Sequence, residues 1–393
     1  MKEVMTFKSG KFIFCDLYDK HHIEKLLVEA SILTAAIKDL PILPAWSSQI
    51  NPELLYSSIA GTAAIEGNSI NAQEVKAIAE GKIPDAGHTA KDRLEITNLI
   101  DAYRLLDQEN AKSSMANALA EKSALASKSL TANFLAESQI RDLHRQITNG
   151  LPYENNIPGT YRNGMVKVGD KAHGGIYTPP KIIEDVQRLM EEFIEWINSD
   201  DLINENVFIR AALSHYHFSL IHPFWDGNGR VARLVEARLL QSAGIRYVPK
   251  MLSNFYYRHV DDYYRAFSDS MRADKDVTPF LDFILRGVIE SLQQMKSRIA
   301  VLIRELVMRD YLHFLTNNKG ISERQNDLLT LLLDHKGSAF SLSELQHALP
   351  YSMIYRKVSE MTARRDLKNL LKKKLLTVDV DGRHTLNLYG FDA

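Results

Sequence analysis

Between His222 and Arg233 the chain reads His-Pro-Phe-Trp-Asp-Gly-Asn-Gly-Arg-Val-Ala-Arg, and these residue types in this order suit phosphate chemistry. Glycines at 227 and 229 let the backbone turn tightly and approach a ligand closely. The amphipathic run Arg230 to Gln241 follows at once, so the first N–H groups of a helix, which have no partners inside it, point outward as an anion pocket reinforced by the helix dipole. Arg230 and Arg233, three apart, are expected on the same side near that end. Two guanidiniums suit a di- or triphosphate better than a single carboxylate, because arginine binds phosphate oxygens two at a time. Asp226 supplies the oxygen ligand that a phosphate-bound magnesium ion wants, since that ion keeps most of its waters and takes one or two protein carboxylates. His222 stands just ahead, held off by Pro223, with an ordinary pKa close to working pH and so suited to accept a proton from an attacking hydroxyl. A histidine before a proline, or a Gly-Asn-Gly turn, is commonplace on its own. A histidine, a carboxylate, two glycines and two arginines within twelve positions are a combination that folding alone seldom requires.

The elements that must position these groups are helices. Apolar residues recur at helical spacing in Ile183 to Ile197, Val207 to Leu220 and Phe280 to Leu306, so the chain is expected to be mainly α. One glycine-dense, β-prone segment interrupts them: Val166-Lys167-Val168 and Ile176-Tyr177-Thr178, around Gly174-Gly175, read as a hairpin closed by Pro179-Pro180. A long helix capped by Thr278, with Pro279 at its first position, is expected to run to roughly Leu315. The turn cluster Asn317 to Gly320 then marks a boundary. An Ala/Ser-rich stretch, Lys112 to Ser129, reads as a flexible helix or linker. The divisions expected are 1–137, 138–292, a connecting helix at 293–318, and 319–393. The 393 residues carry a formal charge of -1 with 45% hydrophobic and 25% charged residues, so there is no whole-molecule attraction for nucleic acid or anionic lipid. A single cysteine, Cys15, fits neither a disulfide framework nor a zinc ribbon and points to the cytoplasm. Met1 to Cys15 shows no export signal, and no run is long enough to span a bilayer.

The 222–233 segment resembles the signature His-x-Phe-x-Asp/Glu-Gly-Asn-Gly-Arg-x-x-Arg of the Fic family of protein adenylyltransferases, and every fixed position matches. The resemblance extends from about Leu40 to Leu292. His215, Phe218 and Ile221 precede the motif as in that family, and Gly159-Thr-Tyr-Arg162 with the following hairpin resembles its target-binding flap. It implies a Fic-type helical bundle in which His222 deprotonates a hydroxyl on a target protein and Asp226 holds magnesium on ATP. Gly227, Asn228, Gly229, Arg230 and Arg233 would bind the phosphates, and the hydroxyl would attack the α-phosphorus with loss of pyrophosphate. The flap residues Val166, Lys167, Val168, Ile176 and Tyr177 would receive an extended target segment by strand addition. Ser253-Asn-Phe-Tyr-Tyr257 and Tyr263-Tyr264 resemble the segment lining the nucleoside pocket, with Tyr257 and Tyr264 the candidates for contact with the base.

Upstream, Tyr56 to Asn68 has small and apolar residues at helical spacing and ends in a Gly-Asn pair suited to a helix end. Thr62-Ala-Ala-Ile-Glu66-Gly67 matches the same family's inhibitory pattern, which implies that Glu66 pairs with Arg233 and takes the space of the γ-phosphate. The carboxy-terminal part reads as helices at Glu323 to His335, from Ser341 or Ser343 to Leu349, and from Ser359, closed by a two-stranded wing turning at Asp381-Gly382. The third helix resembles the recognition helix of winged helix-turn-helix regulators. Thr362, Arg364, Arg365 and Lys368 would face DNA while Leu367, Leu370 and Leu371 pack inward. A protein-binding or dimerising winged helix would present the same pattern. This leaves a second functional class, a DNA-binding regulator that uses the Fic-like core as a nucleotide sensor. Target, modified residue, choice of nucleotide, any removal of AMP and a homodimeric state are not legible.

Overall fold

The structure, a computed structural model, describes residues 1–83, 87–122, 134–153, 155–273, 276–335 and 339–389, the side chains of 109–122 excepted. The Ala/Ser-rich stretch read as a linker therefore lies outside the described residues from 123 on, and outside the described side chains before that. The chain divides into Met1–Met295 and Lys296–Ala393.

Met1 to Cys15 forms a hairpin that its sequence did not announce, strands β1 (Lys2–Met5) and β2 (Lys11–Phe14), paired Lys2 to Phe14 and Met5 to Lys11. Asp185, with no exposed surface, fastens the turn by accepting from the backbone N–H of Phe7, Lys8 and Ser9 and from the Ser9 hydroxyl. Helices follow: α1 (Lys20–Asp39), α2 (Pro44–Ile65), α3 (Ala72–Ala79), α4 (Ala90–Lys122), α5 (Glu137–Thr148), α6 (Ile183–Ile197), α7 (Asp200–Ile203), α8 (Val207–Ile221), α9 (Asn228–Ser242), α10 (Pro249–Arg258), α11 (Val260–Arg272) and α12 (Thr278–Asn317). Buried residues run almost unbroken along α8 and α9, the pattern of helices surrounded by other helices. They form the core on which the functional loop is mounted.

Helix α2 begins earlier than the sequence suggests, because Pro44 supplies a good first position and the interior Pro52 costs only one helical hydrogen bond. It lies close against α10: a Cβ on Gly61 would stand 2.6 Å from Asn254 Oδ1, so only glycine permits that approach. Its carboxyl end is closed by a Schellman arrangement in which Asn68 N–H donates to Ala63 O and Gly67 N–H to Ala64 O, with Gly67 at φ +89°.

The second unit packs α13 (Glu323–Asp334), α14 (Leu342–His347), α15 (Ser352–Tyr355) and α16 (Glu360–Lys372) with strands β3 (Leu376–Val378) and β4 (His384–Leu386). Leu328, Leu332, Phe340, Leu345, Tyr355 and Leu370 lie at its centre with no exposed surface. The turn between the strands comes where Asp381-Gly382 predicts it, and Leu376 pairs with Leu386. Short α15 was not foreseen. Asp366, buried at 4% exposure, accepts from Arg324, Gln325 and Tyr355 and pins α16 to α13 and α15. Arg365 and Lys368 are exposed, and with Arg324 and Lys372 they border one hollow. Arg364 is engaged by Glu360 at 2.6 Å, and the Thr362 hydroxyl lies 3.0 Å from that of the capping Ser359.

Candidate active site

Helix α8 stops at His222, whose backbone is left-handed (φ 49°, ψ 59°), and α9 starts after Gly227, also left-handed at φ 81°. The residues between carry the phosphate-type motif. Phe224 is fully buried, and the imidazole of His144 on α5 stacks flat against it with ring centres 3.6 Å apart. That imidazole also receives Gly159 N–H at Nδ1 (2.8 Å), so its Nε2 donates to Asp226 O (3.0 Å). Asn228 is buried and braces the loop from within, accepting from Phe224 N–H and donating to Phe224 O. Its amide oxygen and one amide hydrogen thus serve the loop.

The two arginines take different partners, although both guanidiniums act on Glu66. Arg230, 1% exposed, lies between Glu95 of α4 and Asp226. Arg233 is held by α2 and the residue after it: its Nε donates to Thr62 Oγ1 at 2.6 Å and its Nη2 to Glu66 Oε1 at 2.6 Å. The cause is the opposing carboxylates, one on each flank, which helical spacing cannot reveal. Asn68, two residues beyond Glu66, donates to Glu95 as well.

Glu66, Gly229, Arg233 and His222 line one cavity of about 430 Å³. A Cβ on Gly229 would stand 2.7 Å from Glu66 Oε1, so the carboxylate rests over the first turn of α9, where backbone N–H groups face outward. Burial works to raise Glu66, but the Arg233 and Arg230 guanidiniums outweigh it and hold the carboxyl below the usual carboxylate range. Burial opposes charge on Arg233 too, and the Glu66 carboxylate more than restores it. Asp226 and Arg230 are not in the cavity lining, and Asp226 keeps 35% of its side chain exposed.

On the far side the cavity meets the flap and α11. Val168 and Tyr177 exchange both backbone hydrogen bonds (2.9 and 2.8 Å), but pairing ends there: left-handed glycines at 169, 174 and 175 break the ladder, so the expected hairpin is a single bridge. Lys167, Val168 and Tyr177 line the cavity, whereas Val166 and Ile176 do not. Of the tyrosines, Tyr264 lines it and Tyr257 does not, being 49% exposed. Tyr263, Phe267 and Met271, at helical spacing on α11, complete an apolar wall. Tyr256 is packing, stacked on Tyr263 with centroids 5.1 Å apart and bonded to the buried Glu236.

The ordinary pKa expected of His222 does not hold: burial pushes it down to about 4, and its Nδ1 lies 3.3 Å from Ser219 O. It is a neutral imidazole at pH 7 whose Nδ1–H donates to that carbonyl, which leaves Nε2 as the proton acceptor. His144 and His217 are also pushed down to about 4 by burial. In the unfolded chain each takes a proton near pH 6.5, whereas the folded form resists until about pH 4. The unfolded state therefore binds more protons in that window, and stability is lost as pH falls, by up to about 1.4 kcal/mol per unit for each histidine. A melting series should show Tm falling by about 10 °C between pH 7 and pH 5. An unchanged Tm would mean that these histidines are not buried neutral.

Sequence reasoning missed His144, Arg162, Glu95 and Glu236. Arg162 is fully buried and gives its guanidinium to main-chain carbonyls around His222. Glu236, set in the apolar run Leu234-Val235-Glu-Ala237, did carry a signal, since a charge in such a run must be buried with partners. Among the described residues no three His, Cys, Asp or Glu side chains gather as a metal cluster, and no helix is long and apolar enough to cross a membrane.

Residues 134–240 match the Fic/DOC family. Over 235 residues the chain is 31% identical to the protein adenylyltransferase Fic of Nematostella vectensis, covering 60% of this chain and 47% of that protein. Against the protein of the same name from Drosophila ananassae it is 28% identical over 235 residues, covering 59% and 40%. The chain thus spans about half the length, or less, of these curated relatives. Among solved structures, a Fic family protein from Desulfovibrio desulfuricans superposes with a TM-score of 0.55 at 19% identity, covering 95% of this chain and 98% of that one. A Fic domain containing signaling protein from Bacteroides thetaiotaomicron superposes with a TM-score of 0.50 at 21% identity, covering 70% and 96%. The architecture is accordingly mainly α, and its first unit has the fold of Fic proteins.

Proposed function

We propose that this protein is a protein adenylyltransferase, moving AMP from ATP to the hydroxyl of a Tyr, Thr or Ser side chain on a target protein, and that it is held back by its own Glu66. The observation that carries the reading is Glu66 itself, a carboxylate bonded to Arg233 over the first turn of α9, in the same cavity as the neutral imidazole of His222. An anion placed there by the chain marks where a phosphate would go. The target hydroxyl gives its proton to His222 Nε2 while its oxygen attacks the α-phosphorus, the bond from that phosphorus to the bridging oxygen breaks, and pyrophosphate departs. Arg233, once freed, takes the outer phosphate, and the Gly227 to Gly229 backbone the inner ones. Arg230 and Asn228 shape the loop without touching phosphate. The apolar wall of Tyr263, Tyr264, Phe267 and Met271 takes the base.

The donor set fits magnesium carried on ATP. Asp226 is one partly exposed carboxylate with Arg230 on its Oδ2, and that ion asks for one or two carboxylates with water filling the rest. When bound, the ion neutralises charge on the phosphates. The flap, with one rung of pairing, offers its remaining backbone groups to an extended target segment.

Incubation with α-labelled ATP and candidate acceptor proteins, followed by mass spectrometry, tests the reading. AMP on a hydroxyl side chain is expected, and labelling that persists in a His222→Ala protein sinks the mechanism. In the second unit the exposed Arg365 and Lys368, beside Arg324 and Lys372, favour contact with nucleic-acid phosphates. A salt-dependent gel shift without any AMP transfer would make the regulator the better reading. With Cys15 as the one cysteine, we place the protein in the cytoplasm, with a homodimer left to sizing experiments.

A further inference from the structure

Arg162, at the root of the flap, has no exposed surface and no ion pair among the described residues. A buried cation without a carboxylate is costly unless its donors are fully used. Here each of the three guanidinium nitrogens donates: Nε to His222 O at 2.6 Å, Nη2 to Ile221 O at 3.3 Å and Nη1 to Gly164 O, while the backbone N–H of Arg162 donates to Pro223 O at 2.9 Å. Two of these carbonyls belong to the carboxyl end of α8, where unpartnered oxygens and the negative end of the helix dipole favour a cation. Burial pushes the guanidinium down to about 10, which leaves it charged at pH 7.

The residue so gripped is in an uncommon conformation. His222 is left-handed, which for a residue with a Cβ costs on the order of 1 kcal/mol and persists only where surroundings enforce it. No other side chain bonds to the His222 carbonyl among the described residues. The third carbonyl, Gly164 O, lies in the flap root, where a Cβ on Gly164 would stand 2.5 Å from the Trp225 ring. One guanidinium therefore ties the flap root to the turn that aims the imidazole.

We propose that Arg162 is the positioning residue for His222, holding the imidazole toward the cavity and fastening it to the flap that receives the target. It does not line the cavity, so nucleotide binding should be indifferent to it. The charged groups facing His222 are Glu66 from α2, Asp226 from its own loop and Arg162 from the flap root. Arg162 works against a proton on His222, so its removal should raise the affinity of the imidazole for protons.

The inference rests on the proposed reaction, and its test separates the two. Arg162→Gln and Arg162→Lys are compared in a Glu66→Gly background, reading kcat, KM for ATP, the melting curve, and the His222 titration by NMR. Arg162→Gln should lose at least about tenfold in kcat with KM for ATP within about twofold, and should show the His222 titration moved upward. Arg162→Lys, keeping the charge but not the planar fork, should lose kcat with the titration unmoved. A kcat equal to the parent's in Arg162→Gln overturns the proposal, as does a loss matched by a rise in KM. If Arg162→Gln does not fold, Arg162→Lys decides in its place, and an undiminished kcat there overturns the proposal. Should the Glu66→Gly parent transfer no AMP, the reaction fails, and the NMR titration still decides whether Arg162 governs His222.

Discussion

Replacing Glu66 by glycine should raise AMP incorporation about 10- to 100-fold over the wild-type chain, measured with α-labelled ATP under matched conditions. The physical basis is competition for one guanidinium. Arg233 is fully buried and gives Nη2 to Glu66 and Nε to Thr62. Breaking a buried ion pair typically costs 3–5 kcal/mol, because the remaining charge loses its partner. In Glu66→Gly that unpaired cation is what an incoming phosphate finds, so the cost returns as binding of the reactive nucleotide pose. Glu66 keeps 29% of its side chain exposed, so solvent screens the pair and the gain should be nearer about 1.5–3 kcal/mol, or roughly one to two powers of ten in rate. Glu66→Gln should give an intermediate gain, since an amide oxygen can still accept from Arg233 without competing as an anion. Equal incorporation by Glu66→Gly and wild type would dismiss the brake and leave the ion pair as a structural contact.

Within that released background, His222→Ala should lower AMP transfer by about 10²–10⁴-fold, the range a positioned general base contributes. Its fluorescence-detected affinity for ATP should change by less than about threefold, since Nε2 is assigned to the acceptor hydroxyl and not to the nucleotide. The depressed pKa adds a further mark. With His222 neutral above about pH 4, the rate should show no base limb between pH 6 and 8. A rate climbing through pH 6.5 would mean that the imidazole is far more solvated than its surroundings indicate. Transfer that survives the substitution would assign the proton to another group.

The mainly helical fold was legible because periodicity is a local property. Ser341 and Ser359 mark the starts of α14 and α16 through their own cap chemistry, whereas Thr278, expected as the cap of α12, is its first residue, its N–H taken by Asp276 and its hydroxyl by Asp19 N–H. The sharp turn into α9 was equally readable, since Gly227 takes the left-handed backbone that glycine permits. What escaped was each fact decided by a distant partner. Arg230 and Arg233 share a helix and a spacing, yet Glu95 takes one and Glu66 the other. The bonds between the Asn228 amide and the Phe224 backbone were not legible either. The N-terminal hairpin escaped for the same reason: Asp185, 178 positions from Phe7, fixes its turn.

The Schellman turn at Gly67 bears on how the proposed brake would be released. Glu66 is not planted in the middle of a rigid rod; it is the last residue before the chain reverses, and two backbone hydrogen bonds, Gly67 to Ala64 and Asn68 to Ala63, hold it there. Opening that final turn would have to break the Glu66–Arg233 pair and the bond from Asn68 to Glu95 as well as those two backbone bonds. Helix α2 need not leave α10, where the close approach at Gly61 would resist it. On the proposed reading the inhibited and released forms would differ by one unwound turn, and the balance between them would be a question of helix-end stability together with the Glu66–Arg233 pair.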